Sequence, residues 1–242
     1  MALDILYQDE WLVAIDKPSG LLVHRSKIDR HETRFAIQLL RDQIGQYVYP
    51  VHRLDKPTSG VLLFALDPET ARSLTEQFTQ RSVDKQYLAI VRGHTDDQGC
   101  IDKPLREVLD PATDSRARQD KEAQPARTEY LSLARAELPF PVQPYSSSRY
   151  SLLRLKPRTG RRHQIRRHLN HISHPVVGDV NHGDRYHNQF FRQHFDCHRL
   201  LLMAHTLGFV HPKTQQKTSI EASMDETFTR VMKGLGWVAY CQ

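Results

Sequence analysis

Apolar residues along the chain come in short blocks cut by polar turns. Leu3–Leu6 and Trp11–Ile15, separated by Tyr7-Gln-Asp-Glu10, predict two early strands. Lys17-Pro18-Ser19-Gly20 breaks the chain, because proline and glycine together punctuate regular structure. From Thr33 to Ile44 the spacing puts Ala36, Leu39, Leu40 and Ile44 on one helical face, with Gly45 as a stop. His52 to Gly60 has no period and carries proline and glycine near its end, so it reads as a loop. Val61–Leu66 then reads as a buried strand. Asp67 as N-cap and Pro68 at the first helical position open a helix with Ala71, Leu74 and Phe78 inward. Tyr87–Val91 is another strand, and Thr159-Gly160 a turn from which Arg161 to Leu169 runs as a helix. The polar stretch Asp110–Gln124 reads as a mobile surface loop, and Pro139–Ser148 as an irregular connection. Strands alternating with two or three helices, without repeats or heptads, predict an α+β fold. Its central sheet is mixed or antiparallel, flanked by helices and loops.

A chain of 242 residues is long for one domain but within reach of a single large one. It buries roughly 70% or more of its unfolded surface, so it needs neither disulfides nor a metal to fold. Cys100, Cys197 and Cys241 are odd in number and far apart, which argues against a disulfide framework or a zinc ribbon and for a reducing compartment. Acidic residues at positions 4, 9, 10 and 16 exclude a signal peptide, and no apolar run approaches a membrane span. The expected location is the cytoplasm.

The net charge of +6 matters less than its placement. Between Leu138 and Gly178 there is no Asp or Glu, while Arg149, Arg154, Lys156, Arg158, Arg161, Arg162, Arg166 and Arg167 all fall there. A one-signed segment favours a polyanionic partner, although a solvated basic face has the same composition.

Asp55 sits in the loop His52-Arg-Leu-Asp-Lys-Pro-Thr-Ser-Gly60 with cations on both sides. Such a carboxylate can serve as nucleophile or general base; equally, a loop Asp can be satisfied by its own backbone and a surface ion pair. Glycoside hydrolysis uses two carboxylates, and no acidic partner lies near Asp55 in sequence, though Asp179 could fold nearby. On the helix expected from Arg161, His163 and Arg166 share a face that could bind phosphate or aim a guanidinium at a carboxylate. His163, His168, His171 and His174 lack a neighbouring cysteine or carboxylate, so no metal is expected; helix capping or RNA contact fits them better. Tyr87 opens an apolar strand, either packing its ring or offering a platform for an unstacked base.

Taken together, several segments resemble the RluA-type pseudouridine synthases. They are Lys17-Pro-Ser-Gly20 with Val23-His24, the 52–60 loop, Lys85-Gln-Tyr-Leu-Ala-Ile-Val-Arg-Gly93 and Gln124-Pro-Ala-Arg-Thr-Glu-Tyr130. The Thr-Gly-Arg-Arg-His-Gln-Ile-Arg run at 159–166 and His174-Pro-Val-Val-Gly-Asp179 complete the set, in the family's order. The resemblance implies one catalytic domain and an isomerase without a cofactor. It makes Asp55 the catalytic aspartate, Tyr87 the tyrosine against the target base and Arg166 the arginine paired with the aspartate. It also puts Leu202 in the base pocket and Arg53 in the gap left by the extracted nucleotide, with His52, Arg161 and His163 among the RNA-binding residues. Met203 stands where the family often has histidine, which leaves the local packing open. No N-terminal S4-type RNA-binding domain is expected before residue 3.

Leu22-Val-His-Arg-Ser26 with Asp29-Arg30, Asp42-Gln-Ile-Gly45 and Asn181-His-Gly-Asp184 further resemble a tRNA-modifying subgroup of that family. This implies a tRNA partner, a T-stem uridine at tRNA position 65 as target, and a monomer that needs no membrane and no small-molecule cofactor. A ribosomal RNA synthase and a non-catalytic RNA-binding module are the alternatives.

Overall fold

The computed structural model describes residues 2–24, 33–107, 122–142 and 145–241. In chain order the elements are β1 (Asp4–Gln8), β2 (Leu12–Lys17), α1 (Ala36–Ile44), β3 (Tyr49–Pro50), β4 (Ser59–Ala65), α2 (Pro68–Gln80), β5 (Asp84–Arg92) and β6 (Gln98–Asp102). Then follow β7 (Arg127–Leu138), β8 (Ser148–Pro157), α3 (Gln164–His171), α4 (Arg185–Phe195), β9 (Leu202–Val210), β10 (Lys217–Glu221) and α5 (Glu226–Gly234). The chain forms two compact units. One comprises Met1–Lys85, Pro104–Ala126 and Ala204–Ala222, the other Gln86–Lys103, Arg127–Met203 and Ser223–Gln242.

In the first unit β1 and β2 form an antiparallel pair. Asp9 closes their turn by accepting the N–H groups of Trp11 and Leu12 at 2.8 and 2.9 Å. β2 continues antiparallel onto β4, from Leu12 opposite Ala65 to Lys17 opposite Gly60. Every residue of β4 is buried, which is why the sequence shows an unbroken apolar run there. Gly60 is required: its φ is +105°, and a Cβ would stand 2.1 Å from the carbonyl oxygen of Ala204 on β9. β10 pairs antiparallel with β9, from Lys217 opposite Val210 to Glu221 opposite Thr206.

α1 begins three residues later than the periodicity predicts. The Ala36 N–H is satisfied by the carbonyl of Leu22, which also bridges Phe35, so the chain before Ala36 is drawn into extended pairing. Ala36 and Leu40 face inward as expected, and Gly45 closes the helix in the left-handed region. Asp67 caps α2 through the Thr70 N–H at 2.9 Å, with Leu74 buried.

The second unit is an antiparallel run of β5, β8, β7 and β6. Its core joins Ala89, Val91, Leu153 and Leu155 from β5 and β8 to Ile165 and Leu169 of α3, with Val176, Leu200 and Leu202. The described residues contain five α-helices rather than the two or three expected. α4 escaped notice because its exposed side is polar and only four side chains are buried, two of them His187 and Asn188. Its signal is the cap Asp184, which accepts the N–H groups of Tyr186 and His187. α5 has the same kind of start at Asp225, with Phe228, Val231 and Met232 inward.

The acid-free segment is less one-signed in three dimensions than in sequence. The register of β7 and β8 sets Glu137 opposite Arg149 and Glu129 opposite Lys156. Arg149 reaches Glu137 at 3.2 Å, and Arg158 reaches Glu129 at 2.6 Å. Both are exposed pairs that contribute little to stability but partly neutralise that face. Most of the expected loop at 110–124 lies outside the described residues, as do residues 143 and 144 of the expected connection and Arg25, Ser26, Asp29 and Arg30. Among the described residues no helix is long and apolar enough to cross a membrane.

Candidate active site

The segment carrying Asp55 is irregular backbone that must find its hydrogen bonds outside a ladder. Leu54 and Thr58 are buried and anchor it; Arg53 is exposed and Asp55 half-buried. The Thr58 N–H donates to the Asp55 carbonyl at 3.0 Å, making a turn directly after the acid. The Lys17–Gly20 turn braces it from the side. Lys17, fully buried at the end of β2, donates its ammonium to the carbonyls of Pro18, Leu21 and Lys56 at 2.9, 2.8 and 3.1 Å. The Gly20 N–H also donates to the Lys56 carbonyl, and the Ser19 hydroxyl to that of Pro57. A buried charge is tolerable only when hydrogen bonds replace its hydration, and here three carbonyls do so. Two of the resembling motifs, read separately in the sequence, are thus one object.

His52 works inside the protein. Its Nε2 accepts the Leu63 N–H at 2.9 Å, which fixes the remaining proton on Nδ1, and its ring stacks on Phe78 at 4.7 Å. Burial, helped by the Lys85 charge, pushes its pKa down to about 3, so the ring is neutral.

In the second unit Arg166 and Asp179 are joined edge to edge. Arg166 Nε donates to Oδ2 at 2.6 Å and Nη2 to Oδ1 at 2.7 Å, with the side chains 4% and 1% exposed. Asp179 Oδ1 also accepts the N–H groups of Asn181 and His182, at 3.0 Å each. Burial alone would push this carboxyl up, but the guanidinium and those N–H groups outweigh it and hold the pKa below the usual range. Asn188 steadies the turn, accepting the Gly178 N–H and donating to the Asp179 carbonyl. Asp179, which sequence offered as a possible second acid, has its oxygens engaged in fixing Arg166.

The helix bearing Arg166 starts at Gln164, not Arg161. His163 takes a left-handed conformation, φ 54°, and so stands outside the helix; its Nδ1 lies 3.0 Å from Nε2 of His182. Gln164 holds the junction. Its Oε1 accepts from the Arg161 N–H and the Thr159 hydroxyl, and its Nε2 donates to the Arg127 carbonyl and the Thr128 hydroxyl. Arg161 is half-buried beside this junction and Arg162 exposed. His168 lies between Thr128 Oγ1 and the Lys103 carbonyl, His171 beside the Lys103 ammonium, and His174 against the Arg92 carbonyl. The histidines of this run therefore have separate duties within the protein.

Tyr87 is half-buried on β5, opposite Leu155, and packs against the same core that contains Leu202 and Ile165. Leu202 is itself 3% exposed, and Met203 is buried as an ordinary apolar side chain. Sequence reasoning did not pick out Lys17, Gln164 or Asp179 for these roles. Lys17 carried a signal, since a lysine ending an otherwise buried strand needs internal acceptors.

A family model described as RNA pseudouridylate synthase matches residues 11–171, and the chain belongs to that family. Among its relatives is a tRNA pseudouridine synthase C of Vibrio cholerae, 51% identical over 97% of this chain and 96% of the relative. Another, from Haemophilus ducreyi, carries the same name and is 52% identical over 98% of this chain and 97% of the relative. The solved structure titled Human RNA Pseudouridylate Synthase Domain Containing 4 is similar with a TM-score of 0.72 at 25% identity, covering 96% of this chain and 93% of that one.

Proposed function

We propose that this protein isomerises a uridine of tRNA to pseudouridine, with Asp55 as the catalytic carboxylate and no cofactor. The target is the T-stem uridine at tRNA position 65, and the enzyme acts as a cytoplasmic monomer. The structural observation that supports it is the bracing of the 52–58 backbone by Lys17 and Ser19, which gives one half-buried carboxylate a fixed place on an otherwise irregular loop. The tRNA assignment follows the names of relatives at about half identity over nearly the whole chain.

The uridine to be attacked is stacked in a helix and must first leave it, at a cost of a few kcal/mol. Arg53, exposed beside Asp55, suits the vacated space. Asp55 attacks the nucleoside or removes a sugar proton; both routes need it ionised. The N-glycosidic bond breaks, the uracil turns, and C5 bonds to the sugar as Asp55 leaves it or returns the proton it took; C5 then loses its proton and N1 gains one, so the product is an isomer. Tyr87 lies against the base and Leu202 lines its pocket. Arg166, locked by Asp179, is the arginine that the family resemblance pairs with the catalytic aspartate, while Arg161 contacts RNA. His52 and His163 serve by shaping the loop and the start of α3. Since the product is an isomer of the substrate, no redox or group-transfer partner enters.

The test is tritium release from unmodified tRNA labelled at uridine C5, with chelator and no added cofactor, followed by mapping of the modified position. Release with modification at position 65 supports the whole reading. Release from ribosomal RNA fragments alone would replace the substrate, and no release from either would leave an RNA-binding module.

A further inference from the structure

The second unit has a concave pocket of about 350 Å³ that the proposed chemistry does not use. Arg92, Asn170, Ser173, Asp184, Arg185 and Tyr186 line it. Arg92 gives Nη1 to Asp184 at 2.5 Å, which aims the guanidinium into the pocket wall. Asp184 is committed twice over, to Arg92 and, as the cap of α4, to the N–H groups of Tyr186 and His187. It fills the helix end, so the helix itself offers no anion site. The three charged side chains leave one net positive charge, carried outward by exposed Arg185.

Arg185 lies over the ring of Tyr186, with its guanidinium carbon 4.6 Å from the centroid, and donates to the Tyr186 hydroxyl at 2.6 Å. Tyr186 is 46% exposed, so its ring and the guanidinium over it are presented together at the rim. Asn170 near the end of α3 and Ser173 just beyond it line the same pocket. A cation, neutral donors and an exposed aromatic face beside a pocket form the combination that holds a sugar–phosphate backbone with a stacked base.

We infer that this pocket binds one phosphodiester of the tRNA through Arg185, Asn170 and Ser173, with a neighbouring base stacked on Tyr186. The inference rests on the proposed tRNA reading and extends it to a contact away from the reacting uridine. The pocket borders the Asp179–Gly183 turn, whose carboxylate holds Arg166, so backbone docked here lies next to a segment the chemistry depends on.

The test compares the full-length wild type with Arg185→Gln and Tyr186→Leu, both exposed positions, by measuring tRNA affinity across salt concentrations alongside tritium release. Arg185→Gln should weaken binding and reduce the slope of log affinity against log salt by about 0.7–0.9, the loss of one phosphate contact. Tyr186→Leu should weaken binding roughly tenfold with an unchanged slope, since stacking is not ionic. Wild-type affinity and slope in both variants, with wild-type tritium release intact, would overturn the pocket while leaving the proposed function standing. A wild type that neither binds nor modifies tRNA would overturn both. Inorganic phosphate at constant ionic strength separates the remaining source. If Arg185→Gln abolishes phosphate binding but leaves tRNA affinity unchanged, the pocket serves a free anion and the inference fails.

Discussion

Asp179 receives the guanidinium of Arg166 edge to edge, one oxygen on Nε and the other on Nη2, with both side chains almost wholly buried. This geometry fixes the plane of the arginine as well as its position, which a lysine could not reproduce.

Asp179→Asn therefore removes the carboxylate that engages this buried guanidinium edge to edge and should destabilise the protein by about 3–5 kcal/mol. Arg166→Met combined with Asp179→Leu should cost less than Asp179→Asn alone, because no charge is then stranded. Urea unfolding midpoints measure both. Equal stability of wild type and Asp179→Asn would show that the pair carries no such strain on removal.

Lys17 and Asp55 are linked through backbone, since the buried ammonium holds the carbonyl of Lys56. Lys17→Met should release that carbonyl and let the acid drift. The expected result is a kcat lower by about 10- to 100-fold, the cost of displacing a positioned group, with tRNA affinity changed little. If affinity falls while kcat holds, Lys17 acts on binding instead.

His52 should make stability depend on pH above the carboxylate range. Its folded pKa is pushed down to about 3, whereas an unfolded histidine titrates near 6.5. Between those values the unfolded chain binds more protons. Stability is therefore complete above the unfolded pKa and falls as pH drops toward 3, by at most about 1.4 kcal/mol per pH unit. The molecular reason is that a proton on Nε2 cancels the bond from the Leu63 N–H. Burial also lowers the pKa values of His168 and His187, so the informative quantity is the difference between wild type and His52→Gln. That difference should vary between pH 4 and 6.5 in urea unfolding; a constant difference would contradict the assignment.

The strands and helices that sequence foretold are those whose signal is local. The apolar runs Leu12–Ile15 of β2 and Val61–Ala65 of β4 are buried, and α2 announces itself through Asp67 and Pro68. α3 starts later than the periodicity predicts because His163 turns left-handed and Gln164 ties the junction to β7, bonding Thr128 thirty-six residues away in sequence. The acid-free segment is partly neutralised through a contact of the same kind. Glu129 and Glu137 precede the basic segment in sequence and meet it only through the β7–β8 register. The candidate residues carried by motif are legible in sequence, whereas the bracing roles of Lys17, Gln164 and Asp179 depend on hydrogen bonds to residues distant in the chain or, for Asp179, on the local turn.

Whether Asp55 performs the isomerisation is read most directly by single-turnover tritium release from C5-labelled tRNA. The comparison is wild type against Asp55→Asn, with tRNA affinity and unfolding midpoint measured on both. With Asp55 as the catalytic carboxylate, Asp55→Asn binds tRNA and folds like the wild type yet releases no tritium above background. Release at a comparable rate from Asp55→Asn would contradict that role and move the chemistry to another residue.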